Sequence, residues 1–279
     1  MECCGHATAL GPKAAAWPQH SEGLRQAFVH LGREIMMIRL VVLSFFLGVP
    51  TLAAKDVGEI VEKSLAALGG ADKLRSMESR LLVGDALLGG GIVSGEFRWL
   101  TQRPNHHKIE IIVGDQSIVQ AYDGTAAWQI QPVQFGGTGQ AEVLEGQAAE
   151  SVKQSATFES ALVDYQQKGH KPELLDEAEV RGKPAYRIRL TLASGRINDY
   201  FIDQQSYLPV KTLTTTFNPQ TEEEVEVESH SGNYKEVNGL QVPHTLETFA
   251  GGQVINEFQV TEARINLTAS VKDFRPPSR

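Results

Sequence analysis

Val93-Ser94-Gly95-Glu96-Phe97-Arg98-Trp99 alternates: Val93, Phe97 and Trp99 fall on one side of an extended chain, Ser94, Glu96 and Arg98 on the other. A period of two marks a half-buried antiparallel strand. The same period sets Ile109 and Ile111 against Lys108 and Glu110, and Val225 and Val227 against Glu224, Glu226 and Glu228. Between Arg80 and Leu267 the pattern predicts about eleven short strands, divided by turn signals such as Gly89-Gly90-Gly91, Asp123-Gly124, Ser194-Gly195 and Asn238-Gly239. A meander of that length must close on itself or have its apolar face covered, because an open apolar sheet aggregates.

Two segments are available as covers. Asp56 with Glu59 three residues later reads as a helix start, and Val57, Ile60, Val61, Leu65 and Leu68 recur at helical spacing before Gly69-Gly70 ends the run. The second is the stretch from Ala141 to Val152, inside a long break in the strand pattern between Gln134 and Ser160.

Upstream of the first helix the chain concerns address rather than fold. Met36-Met37-Ile38-Arg39 supplies a basic start, Leu40 to Val49 an apolar stretch too short for a membrane span, and Thr51-Leu52-Ala53-Ala54 a small-residue exit. This predicts a cleaved signal peptide over 36–54, a non-native extension over 1–35 from an early start, and a single domain over 55–279. Cys3 and Cys4 both precede the signal, which excludes disulfides and thiol chemistry from the mature chain. From Lys55 onward 22 basic residues face 31 acidic ones, and with no basic cluster nucleic acid is not an expected partner.

Familiar catalytic signatures are missing: there is no G-x-S-x-G, H-E-x-x-H, phosphate loop or G-x-G-x-x-G. His106-His107 suits a metal poorly, since neighbours on a strand point to opposite faces. Tyr122-Asp123-Gly124 with Trp128 reads as a hairpin turn, with Tyr122, Ala126, Trp128 and Ile130 expected on one face. No cofactor, metal or catalytic residue is predicted.

Several segments together resemble a known family. Leu68-Gly69-Gly70, Arg103-Pro104-Asn105, Ala121-Tyr122-Asp123-Gly124, Leu162-Val163-Asp164-Tyr165, Gly182-Lys183-Pro184-Ala185-Tyr186, Tyr207-Leu208-Pro209-Val210 and Tyr234-Lys235-Glu236-Val237-Asn238-Gly239 are similar to the LolA-like outer-membrane lipoprotein-sorting proteins, with their LolA/LolB/RseB-type fold. The resemblance implies a mainly β chain with lid helices: a curved, incompletely closed antiparallel β-barrel whose concave side is apolar. It further implies a periplasmic carrier of lipid or lipoprotein acyl chains, with the two cover segments as lids. The lid arginine of such carriers is not identifiable from the motifs. An interaction module for another envelope protein, on the same fold, is the alternative, and an enzyme stands third.

An acyl chain gains about 0.8 kcal/mol per buried methylene, so about 12 kcal/mol for sixteen carbons. Alternation nominates Phe97, Trp99, Ile109, Ile111, Trp128, Tyr186, Ile188 and Leu190 as cavity residues, although plain core packing asks for the same residue types.

Overall fold

The structure is a computed structural model that describes residues 56–218 and 223–277. The expected signal peptide and N-terminal extension lie outside them. Helix α1 (Val57–Ala67) starts where Asp56 accepts a hydrogen bond from the Gly58 N–H. It ends in a Schellman turn, Gly70 N–H donating to the Leu65 carbonyl and Gly69 N–H to that of Ala66. Both glycines hold positive φ, at 116° and 100°. A second short helix, α2 (Ala71–Ser76), follows at once.

Six strands come next: β1 (Ser79–Leu88), β2 (Val93–Gln102), β3 (His106–Val113), β4 (Gln116–Tyr122), β5 (Ala127–Ile130) and β6 (Ala141–Val143). After α3 (Gly146–Ser155) the chain returns to β7 (Lys171–Leu174), β8 (Ala178–Val180), β9 (Lys183–Thr191), β10 (Ile197–Asp203), β11 (Pro209–Asn218) and β12 (Glu223–Gly232). A small separate hairpin, β13 (Lys235–Val237) with β14 (Leu240–Val242), precedes β15 (Thr245–Ala250) and β16 (Gln253–Ile265). A 3-10 turn at Val271–Phe274 follows the last strand. Among the described residues no helix is long and apolar enough to cross a membrane.

Fourteen strands form one antiparallel sheet in the order β6-β5-β4-β3-β2-β1-β16-β15-β12-β11-β10-β9-β7, with β8 beside β7 on the same edge of β9. The path does not return on itself, so the sheet is a curved, open barrel. Irregular register at Val83/Gly84, Phe201/Ile202 and Thr248/Phe249 bends strands of the sheet. Among the described residues sixteen strands stand where alternation predicted about eleven. Several have only three or four residues, too few for a period to show.

β1 sits mid-sheet between β2 and β16, and pairs Leu82 with Trp99, Gly84 with Phe97 and Ala86 with Phe258. These residues share the concave face, and Ile111, Val260 and Ile265 join them in the larger core cluster. Farther round the same face, Tyr186, Ile188 and Leu190 form a second cluster beneath Ile60, Val61 and Leu65 of α1. Thr212, Ser229 and Thr248, paired in register on β11, β12 and β15, make a polar seam between the two. Leu74 of α2 packs against both clusters.

Candidate functional site

The concave face is roofed by separate short pieces. α1 lies on β9 and β10 through the second cluster, while Met77, Phe158 and the β13–β14 hairpin cover the first. The segment expected as the second lid divides: Ala141–Val143 extends the sheet as β6, and α3 covers its concave side, Val152 and Ala156 packing on Tyr122 and Ala127. Val143, at the end of β6, is 64% exposed. α2 and the β13–β14 hairpin are covers that alternation alone does not reveal.

Beneath this roof a cavity of about 200 Å³ remains, lined by Leu68, Leu74, Phe158, Tyr200, Leu240 and Ile265 among others. Arg80 and Glu159 are its charged lining residues. At the other end of the concave face Leu88, Val113 and Ile118 are only partly buried.

The nominated residues separate into three places. Phe97, Trp99, Ile109 and Ile111 come together: Phe97 pairs across the sheet with Ile111 and Trp99 with Ile109. The Phe97 and Phe258 rings meet edge to face at 5.1 Å. Tyr186, Ile188 and Leu190 share the concave face, but α1 seals them as core. Trp128 is on the opposite face, packed with Val119 and Ala121, and its indole N–H donates to the Phe274 carbonyl at 2.7 Å. The cause is loop length. Tyr122 pairs with Ala127 across a four-residue loop, so Trp128 pairs with Ala121 and points away from Tyr122. Trp128 is therefore not brought to the concave site.

The adjacent histidines also diverge. His106 packs its ring against Phe274 at 5.1 Å, whereas His107 on the concave side accepts the Trp99 indole N–H at Nδ1, 3.1 Å away. Burial, with the nearby Arg80 charge, pushes the His107 imidazole down to about 4, so it is neutral at ordinary pH. Among the described residues no group of three or more metal-ligating side chains comes together.

Arg103 holds the roof to the sheet. From the β2–β3 turn it donates to the backbone carbonyls of Met77 at 2.7 Å and Leu74 at 3.1 Å, and to Glu159 at 2.8 Å. Its guanidinium also stacks over Phe158, and Lys168 takes the other oxygen of Glu159. Burial raises the Glu159 carboxyl, but the hydrogen bonds from Lys168 and Arg103 outweigh it and hold the group below its usual value. The arginine of Arg103-Pro104-Asn105 thus ties the roof to the sheet. The motif shows the arginine but not its partners, which lie far away in sequence.

No family model matches the chain, and no curated protein matches it in sequence. Solved structures do resemble it. A DUF1329 family protein from Desulfovibrio piger superposes with a TM-score of 0.50 at 10% identity, over 80% of this chain and 98% of its own. A LolA superfamily protein from Nitrosomonas europaea gives 0.47 at 15% identity, over 80% and 98%. A domain described as an outer membrane lipoprotein-sorting protein, from Vibrio parahaemolyticus, gives 0.48 at 12%, over 78% and 95%. At these identities the likeness is one of fold. The open, curved antiparallel sheet with helices on its concave side is the fold shared with the DUF1329 family structure, and it is the architecture that the sequence motifs implied.

Proposed function

We propose that this chain is a periplasmic binding protein or carrier for the acyl chain of a lipid or lipoprotein, held on the concave face and not chemically altered. One observation carries the proposal: a concave face with two apolar clusters is covered by small separate pieces, and a cavity persists beneath them. Such a roof can lift piece by piece without unfolding the sheet. Phe97, Trp99, Ile109 and Ile111 are the proposed wall of the acyl site. The proposed address rests on the signal pattern ending at Ala54.

A cavity of about 200 Å³ is smaller than the roughly 300–1,000 Å³ usual for small-molecule pockets, so the state described is a closed one. That same closure, with the sheet left open at β6 and β7, favours a second reading in which an edge strand pairs with an envelope-protein segment. Mass spectrometry of organic extracts, from protein purified out of its native envelope, separates the two. Acyl species at near-stoichiometric amounts are expected for a carrier. Their absence, together with no uptake of a fluorescent fatty acid, would favour the edge-binding module.

A further inference from the structure

Arg80 is out of keeping with its surroundings. It stands on the concave face of β1, paired with Thr101 and Ile265, and lines the cavity. The residue is half-buried; its Nε is enclosed without a hydrogen-bond partner, and among the described residues its guanidinium has no ion pair. Other arginines behave differently: Arg75, Arg103, Arg181, Arg187, Arg189 and Arg264 each hold a carboxylate.

The neighbours of Arg80 do not supply the missing charge. Glu159 is the carboxylate lining this cavity, and its two oxygens are taken by Arg103 and Lys168. His107, the ring whose protonation Arg80 opposes, is neutral and directs Nδ1 to Trp99. Tyr234, also in the lining, gives its hydroxyl hydrogen to the Pro209 carbonyl at 2.6 Å. An arginine stays charged in a protein, so it cannot escape the cost of burial by losing its proton. A charge partly withdrawn from water without a partner carries a desolvation cost that an anion would offset.

We infer that Arg80 anchors the anionic head of an acyl ligand, so that the cargo is a free fatty acid, its carboxylate in the cavity against the guanidinium. The inference rests on the acyl-carrier proposal and narrows it. The planar guanidinium matches a carboxylate with two parallel hydrogen bonds. From Arg80 the apolar concave face continues through Leu82 and Ala86 to the partly buried Leu88. Eight residues of strand span about 26 Å, enough to lay out a long acyl chain. Its lodging there requires the roof to lift.

Displacement of a fluorescent acyl probe by dodecanoic acid, by methyl dodecanoate and by inorganic phosphate tests the inference on the wild-type protein, Arg80→Gln and Arg80→Lys. The acid is expected to bind wild type at least about tenfold more tightly than the ester, as a charge-assisted hydrogen-bonded pair allows. Arg80→Gln should abolish that preference while still binding the ester, and Arg80→Lys should restore part of it. Equal binding of acid and ester by wild type overturns the role of Arg80 and leaves the carrier proposal intact. Failure of wild type to bind either overturns both. Displacement by millimolar phosphate overturns the fatty-acid assignment in favour of a free-anion site. Thermal unfolding without ligand is an independent measure. Loss of a half-buried charge without an ion pair should raise the Tm of Arg80→Leu, and a lowered Tm overturns the inference.

Discussion

Trp128 donates its indole N–H to the carbonyl of Phe274, 146 residues further along the chain, and so fastens the C-terminal segment to the outer face of β5. Phe274 is fully buried there, its ring against His106. Phe274→Ala should therefore lower the unfolding free energy by about 3 kcal/mol, as for other buried phenylalanines. Urea unfolding followed by tryptophan emission measures this, and a cost under about 1 kcal/mol would show that the segment is only loosely attached.

Gly84 and Gly232 form a matched pair for substitution by alanine. A Cβ on Gly84 would come within 1.9 Å of the Gln259 carbonyl oxygen, whereas at Gly232 the nearest atom is Thr245 Cβ at 4.0 Å. Gly84→Ala is expected to cost about 2 kcal/mol or more, because backbone must move at the bulge beside Phe97. Gly232→Ala should stay within about 0.5 kcal/mol of wild type. Equal costs in denaturant melts would refute the close approach.

Arg103→Leu frees the carbonyls of Leu74 and Met77 from the sheet and leaves Glu159 to Lys168 alone. The expected outcome is local. Amide protection in residues 71–77 and 158–168 should fall by about tenfold or more, while that of β1 and β2 is kept. Hydrogen exchange read by mass spectrometry resolves the two regions, and a uniform loss across the sheet would mean that Arg103 acts on global stability instead.

Stability should fall in two stages as pH is lowered. His107 is held down to about 4 in the folded protein, against about 6.5 when unfolded, so the unfolded chain takes up a proton first. Between pH 6.5 and 4 this costs on the order of 3 kcal/mol. Asp199, Asp203, Glu159 and Glu228 all lie below their usual values. In each, burial raises the carboxyl and hydrogen bonds from neighbours bring it lower still. Their contribution is present above the unfolded values near 4 and disappears as pH drops through the lower folded ones. Denaturant titrations at pH 7, 5, 4 and 3 should show both stages, and His107→Asn should flatten the first. A profile level from 7 to 4 in the wild type would contradict the buried neutral histidine.

Alternation made part of this architecture legible. Phe97, Trp99, Ile109 and Ile111 share a face because β2 and β3 are long, regular and separated from their polar residues by one position. Trp128 escaped because the side of a strand after a turn depends on whether the loop is even or odd, which Asp123-Gly124 does not declare. Arg80 is the second residue of β1 and is followed by Leu81-Leu82-Val83, an apolar run without a period, so its side was unmarked. Arg103 and Glu159 are each ordinary residues until the fold brings them within hydrogen-bond distance. Composition and period assign faces, whereas pairing across long separations is decided by topology.

The placement of β1 between β2 and β16 also governs the order of assembly. β2 to β6 are joined to β1 by nearby turns, but the other edge of β1 waits for β16, where Arg80 meets Ile265, and the Ser79 hydroxyl waits for the Leu267 carbonyl. Loop closure over such separations slows folding. A growing chain therefore holds one half of its sheet with an exposed middle edge until almost its last residues are made. Late closure leaves the middle of the sheet open to partners other than β16 for as long as the chain is being synthesised.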